Sequence, residues 1–198
     1  MLFKSNAFVR CYYKGTNANI KQYFSPINAK DDDDGYEIYN MNLDCSNVRY
    51  GVHDEHNGAA HPYKNVYKKC SIKIDNTKND AWTNRACICG GLGASGDITI
   101  EDCYFESTMI NENYPHDIVS YHNGNGSATP FRSNIVITGC YFANKDGCRC
   151  SHYGVHDEKS RMIVSNCSLG RAPRIIFESS SYSDENMELL EWNNEIRN

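Results

Sequence analysis

Long apolar runs are missing from this chain of 198 residues. No stretch approaches the ~20 consecutive apolar residues of a membrane-spanning helix, and residues 1 to 20 lack the apolar centre of a secretory leader. The expectation is a soluble chain, with no membrane partner and no visible export signal. Basic charge is short as well: 20 Lys and Arg stand against 25 Asp and Glu, a formal net charge of -5. Backbone-driven nucleic-acid binding needs clustered Lys and Arg, so nucleic acid is not expected as a partner. Proline is scarce, with 5 residues, and helical periodicity is lacking except in the last dozen or so residues. Together with abundant Tyr, Asn, Asp, Gly and Ser, this points to an all-β protein with many turns. One body with a sizeable core suffices at this length.

What is present is a repeated phrase: an alternating β run, a turn, a cysteine, then one or two bulky residues. It reads Ile98-Thr99-Ile100-Glu101-Asp102-Cys103-Tyr104-Phe105, then Ile135-Val136-Ile137-Thr138-Gly139-Cys140-Tyr141-Phe142, then Met162-Ile163-Val164-Ser165-Asn166-Cys167-Ser168-Leu169, with a looser copy at Val66 to Ile72. The cysteines recur at intervals of 33, 37 and 27 residues. Self-similarity at such a period, carried on strand patterning, is the mark of a stacked solenoid. Equivalent residues of successive coils then lie ~4.8 Å apart, and Cys70, Cys103, Cys140 and Cys167 form one interior file. Most of the ten cysteines are read as reduced, buried, small apolar residues. That suits folding in a cytoplasm, including that of a virion component assembled inside a bacterium.

Three segments are expected. Residues 1–35 hold one strand, Ala7 to Tyr13, and a polar lead-in ending in Asp31 to Asp34, read as a solvated loop because calcium loops space their carboxylates at alternate positions. Residues 36–180 form about five coils, each with two or three strands. In residues 181–198, Ser183 to Asn186 cap a helix whose stripe of Leu189, Trp192 and Ile196 covers the open solenoid end or packs against other subunits.

Residues 36 to 180 resemble the right-handed parallel β-helix of the pectate-lyase-like superfamily, the architecture of many polysaccharide lyases, glycoside hydrolases and phage tailspikes. The phrases above carry the likeness, together with Asp117-Ile118-Val119-Ser120-Tyr121-His122-Asn123-Gly124. The resemblance implies carbohydrate as the ligand class. The Asn-Thr-Asp, Gly-Asp-Asp, Gly-His-Gly and Arg-Ile-Lys motifs of the polygalacturonate hydrolases of this fold are absent, which disfavours a pectin-degrading hydrolase.

The hexamer Tyr-Gly-Val-His-Asp-Glu occurs at Tyr50 to Glu55 and again at Tyr153 to Glu158. The copies lie three coils apart, so at one lateral position they would be separated by about 14 Å, too far for one acid pair. The catalytic candidates are instead Asp117 and His122 from one coil with His156, Asp157 and Glu158 from the next, carboxylates and imidazoles suited to acid and base work on a sugar. Tyr121, His152, Tyr153, His53 and Asp54 are the substrate-binding candidates, the tyrosines as platforms for a pyranose ring. The bland alternative is an ancestral turn, with Gly at a tight position, His and Asp bonded to nearby backbone, and Glu in water.

No metal and no cofactor is expected. His53-Asp54-Glu55-His56 does not follow His-Glu-x-x-His, and the outer members of Cys148, Cys150 and His152 would be about 13 Å apart on a strand, beyond one tetrahedral zinc. Gly90 to Asp97 is a single imperfect glycine-rich stretch, read as a connection. The functional expectation is a polysaccharide-degrading lyase or glycoside hydrolase. That enzyme would be of phage tailspike or bacterial type; its alternative is a non-catalytic, trimeric phage tail or receptor-binding segment, and either is expected on the virion or outside the cell after cytoplasmic folding. Polysaccharide or cell-surface glycan is the partner in both.

Overall fold

The computed structural model describes residues 2–4, 8–12, 27–29, 35–46, 50–56, 63–75, 86–92, 96–108, 116–123, 133–143, 148–153, 160–169, 174–176 and 187–197. Within them the chain passes repeatedly through three short strands. The first passage is β1 (Leu2–Lys4), β2 (Phe8–Tyr12) and β3 (Ile27–Ala29); the second is β4 (Gly35–Tyr39), β5 (Asn42–Ser46) and β6 (Tyr50–His56). Next come β7 (Tyr63–Lys68), β8 (Ser71–Asp75) and β9 (Ala86–Leu92), then β10 (Gly96–Glu101), β11 (Tyr104–Thr108) and β12 (His116–Asn123). β13 (Ser133–Thr138), β14 (Tyr141–Phe142) and β15 (Cys148–Tyr153) follow, then β16 (Ser160–Ser165), β17 (Ser168–Leu169) and β18 (Arg174–Ile176). The last strands are β19 (Met187–Trp192) and β20 (Glu195–Ile196).

Every third strand joins the same sheet. The first sheet runs β1-β4-β7-β10-β13-β16-β19, the second β2-β5-β8-β11-β14-β17-β20, and the third β18-β15-β12-β9-β6-β3. All pairings between these strands are parallel. The protein is thus all-β with parallel sheets, an arrangement compatible with a parallel β-helix, and each passage is one rung of the stack. Strands precede and follow the five coils read from the sequence, so the first two sheets hold seven strands each.

The end of the chain is a correction. Met187–Trp192 and Glu195–Ile196 are strands that pair with β16 and β17, not parts of a helix over 181–198. Leu189, Trp192 and Ile196 match a helical stripe only because a two-residue turn falls between two short strands, and that turn resets the period of two. The expected cap at Ser183 to Asn186 lies outside the described residues, as do Asp31 to Asp34.

The repeated phrase has a local cause. At the corner between the first and second sheets, Asn40, Lys69, Asp102, Gly139, Asn166 and Asn193 have φ between 53 and 65°. Glycine takes this left-handed region freely, and Asn and Asp are the side-chain-bearing residues most at ease there. The residue after each turns inward: Cys70, Cys103, Cys140 and Cys167 are all buried. Hydrogen bonding continues through the corner, where Lys69 N–H donates to the Glu101 carbonyl (2.9 Å) and Tyr104 N–H to that of Cys70 (2.8 Å). Rungs are therefore locked at their bends as well as along their strands.

The thiols form the expected file. Cys103 Sγ accepts from Cys70 N–H at 3.4 Å, and Cys140 Sγ accepts from Cys103 N–H at 3.4 Å. Each sulfur also lies against two carbonyls, as Cys103 does with Glu101 (3.2 Å) and Tyr67 (3.6 Å). Met41 and Asn194 hold the same position on the flanking rungs; Asn194 Oδ1 takes the Cys167 N–H at 3.0 Å, as a sulfur does elsewhere. Contact with the neighbouring thiol and burial push the Cys70 and Cys140 thiols up, while hydrogen bonds from those same neighbours hold Cys103 and Cys167 down; all four are enclosed between rungs, where they serve as packing. Cys45, Cys87, Cys89 and Cys150 are buried thiols like the four of the file.

Candidate functional site

The third sheet carries most of the candidate residues, and its strands bend where two successive side chains point inward. In β9, Cys87 and Ile88 both join the main core, and in β12 Ile118 and Val119 do. The register shifts at this point, between Asp117 and Val119. A β-bulge of this kind bends the strand and re-aims the side chains on either side. Cys89 accordingly packs with Tyr50 and Ala86 in a cluster separate from the main core.

Register fixes the neighbours. Asp117 stands opposite Ala86 and Arg149, Tyr121 opposite Gly90 and His152, and His122 opposite Gly91 and Tyr153. Strands β12 and β15 are thus adjacent, and they bring His122 to Tyr153 and Tyr121 to His152 at one strand spacing, ~4.8 Å. Asp117 is five strand steps from His122, about 16 Å at ~3.3 Å per residue in an unbent strand and less across the bulge. Paired glycosidase carboxyls span only ~5 to 9.5 Å. His156, Asp157 and Glu158 lie outside the described residues.

Tyr121 is fully enclosed at 0 % exposure and belongs to the main core. It has no ring face open to a pyranose, which corrects its place among the sugar platforms. His53 is half-buried and stacks on Tyr50, ring centroids 5.1 Å apart. Asp54 stands opposite Gly90 on β9, two strands from Tyr121, so the first hexamer lies on the sheet that carries Tyr153, the first residue of the second, but not beside it.

The two hexamers do not share a lateral position. Following the register from β6 through β9 and β12 to β15, Glu55 aligns with Gly91, His122 and Tyr153. The last residue of the first copy therefore matches the first of the second. The three-strand separation is as expected. In the first copy the hexamer is strand and not turn, and Gly51 is there for space: a Cβ would meet the Cys87 carbonyl oxygen at 2.7 Å and Ile72 Cγ2 at 2.9 Å.

No family model, curated protein or solved structure matches this chain. Register and burial are what the functional reading rests on.

The outer face of the second sheet holds an aromatic pair that sequence reading passed over. Tyr104 and Tyr141 stack at 5.5 Å with planes 6° apart. Their signal was the doubled Cys-Tyr-Phe, in which the corner sends one aromatic out and the next in; the inner pair, Phe105 and Phe142, sits at 5.6 Å. The Arg197 guanidinium lies 3.9 Å from the Tyr141 ring centre, and Lys73 Nζ lies 5.4 Å from that of Tyr104. Cations thus flank the stacked rings, and the contacts tie neighbouring rungs together. Among the described residues, no three His, Cys, Asp or Glu gather to hold a metal ion.

Proposed function

We propose that the protein is a right-handed parallel β-helix of the pectate-lyase-like kind that recognises carbohydrate on its third sheet and degrades polysaccharide as a lyase or glycoside hydrolase. The observation that supports this reading is the register of β12 on β15, which sets His122 beside Tyr153 where the second hexamer begins. This register brings a histidine and a tyrosine to neighbouring positions, and His156, Asp157 and Glu158 follow three to five residues after Tyr153 in the sequence, so residue types suited to proton transfer and to sugar stacking fall in one stretch. In this reading His122 acts as base or acid, the residues after Tyr153 supply the opposing group, and Asp117 serves a neighbouring sugar.

A second reading, glycan binding without cleavage in a trimeric phage tail or receptor-binding segment, draws on the five steps between Asp117 and His122 and the enclosure of Tyr121. Incubation with a broad panel of bacterial-surface and plant polysaccharides separates the two. New reducing ends mark either enzyme, and a conjugated unsaturated product marks the lyase. His122→Ala is expected to lower turnover at least a hundredfold. Binding on a glycan array with unchanged ligand length selects the second reading, and neither binding nor cleavage overturns both.

A further inference from the structure

We infer that the outer face of the first sheet is a self-complementary surface that pairs two copies of this chain antiparallel. Three outward columns run across β7, β10, β13, β16 and β19. The first is Lys64, Asp97, Asn134, Arg161, Glu188. Its charges run plus, minus, neutral, plus, minus, and Lys64, Asp97 and Arg161 are exposed. Reversed, this order becomes its own complement. A two-fold axis along β13 sets Lys64 against Glu188 of a second copy, Asp97 against Arg161, and Asn134 against Asn134.

The other columns obey the same axis. The second is aliphatic apart from one threonine: Val66, which is buried, then Thr99, Val136, Ile163 and Leu190, which are half-buried. It meets itself with Val136 at the centre. In the third column, Lys68, whose ammonium also donates to Glu101 Oε1 at 2.7 Å, comes against Trp192, whose ring is 45 % exposed. A cation over an indole face is a favourable contact. Side-by-side packing with rungs level does the opposite, because it sets Lys64 near Lys68 and Asp97 near Glu101. The face therefore selects an antiparallel pair and opposes an in-register parallel one.

Neighbouring charges of one copy engage one another along these columns, and the pairing across the two-fold axis adds to them. Asn134 Nδ2 donates to Asp97 Oδ1 at 2.8 Å, and Arg161 Nε lies 4.0 Å from Glu188 Oε2. Asp97 and Arg161, however, are two strands apart, ~9.6 Å, too far to pair within one chain. The face is about five strands by six residues, near 480 Å² per copy, which places the pair among weak, concentration-dependent interfaces. Isologous contact through one self-matching patch is the commonest form of homodimer.

The test is sedimentation velocity on the full chain from about 1 μM to several hundred μM, in low and high salt. The expected result is a monomer–dimer equilibrium weakened by salt. Asp97→Lys alone, which sets Lys against Arg161, and Arg161→Asp alone, which sets Asp against Asp97, are each expected to weaken dimerisation at least tenfold. An equimolar mixture of the two variants is expected to restore it. The lysine introduced at position 97 of one variant then faces the aspartate introduced at position 161 of the other, and the native Asp97–Arg161 contact forms on the other side of the axis. Circular dichroism checks that each variant folds. A chain that stays monomeric at the highest concentration, a trimer, single variants that dimerise like the parent, or a mixture that stays monomeric each overturns the inference.

Discussion

Gly51 shows how a residue's role follows from what its missing side chain would strike. It stands in a strand with no positive φ, and the added methyl of Ala would press on a backbone carbonyl that neighbouring strands hold in place. Overpacking against such a wall costs about 1–3 kcal/mol. Gly51→Ala is therefore expected to lower the urea midpoint with the slope of the transition unchanged. At Gly139 conformation joins space: its φ of 65° calls for the left-handed region, and a Cβ would meet Asp102 Oδ1, the end of a side chain able to move aside, at 2.5 Å. Asn40, Asn166 and Asn193 take that conformation on other rungs, so Gly139→Asn is expected to be milder than Gly139→Val. A β-branched side chain there should cost about 1–2 kcal/mol more.

At the scale of elements, the outer ladder of the second sheet couples rungs through side chains. Arg197, on the last rung, reaches past Ser168 to the Tyr141 hydroxyl and the Phe142 carbonyl. Tyr104 donates to Glu106 Oε2 at 2.8 Å, and Lys73 lies 3.4 Å from that carboxylate. Burial and then the bond to Glu106 push the Tyr104 hydroxyl up to about 12. The folded form holds this proton more tightly than the unfolded chain, where tyrosine titrates near 10. Its contribution is fully present below about pH 10 and is lost as pH rises towards 12. Tyr104→Phe is expected to flatten that alkaline limb, measured as midpoint against pH; an unchanged limb would place the loss elsewhere.

The same elements show what the sequence made visible. The rungs holding Cys70, Cys103, Cys140 and Cys167 were legible because a left-handed corner and an inward thiol recur together, and each demands particular residue types. The last rung escaped because Asn194 does the thiol's work with a side-chain oxygen, so Trp192-Asn193-Asn194-Glu195-Ile196 has the turn without the marker. Of the candidate site, the adjacency of β12 and β15 was legible from the coil count. The burial of Tyr121 was not, because the bulge at Ile118 changes which residues face inward. Strict alternation assigns faces correctly only on an unbent strand.

For the whole molecule, a stack of rungs has nearest-neighbour energetics: each rung contacts those above and below, so its stability depends on how many neighbours it has. One inward column of the second sheet runs Leu43, Ile72, Phe105, Phe142, Leu169, Ile196. Phe105 is 0 % exposed between two neighbours, whereas Ile196, on the last described rung, is 62 % exposed. Beside it, Glu191 takes the position that Val164 holds one rung earlier, and it is exposed. A charge at an inward position discourages another strand from adding to the edge. Phe105→Ala should therefore cost about 3–5 kcal/mol, while Ile196→Ala should stay within about 0.5 kcal/mol. Hydrogen exchange should follow the same gradient, with the slowest amides in β10 and β13 and the fastest of the paired strands in β19 and β20. Equal protection from the middle to the last rung would mean that the edge is covered in solution.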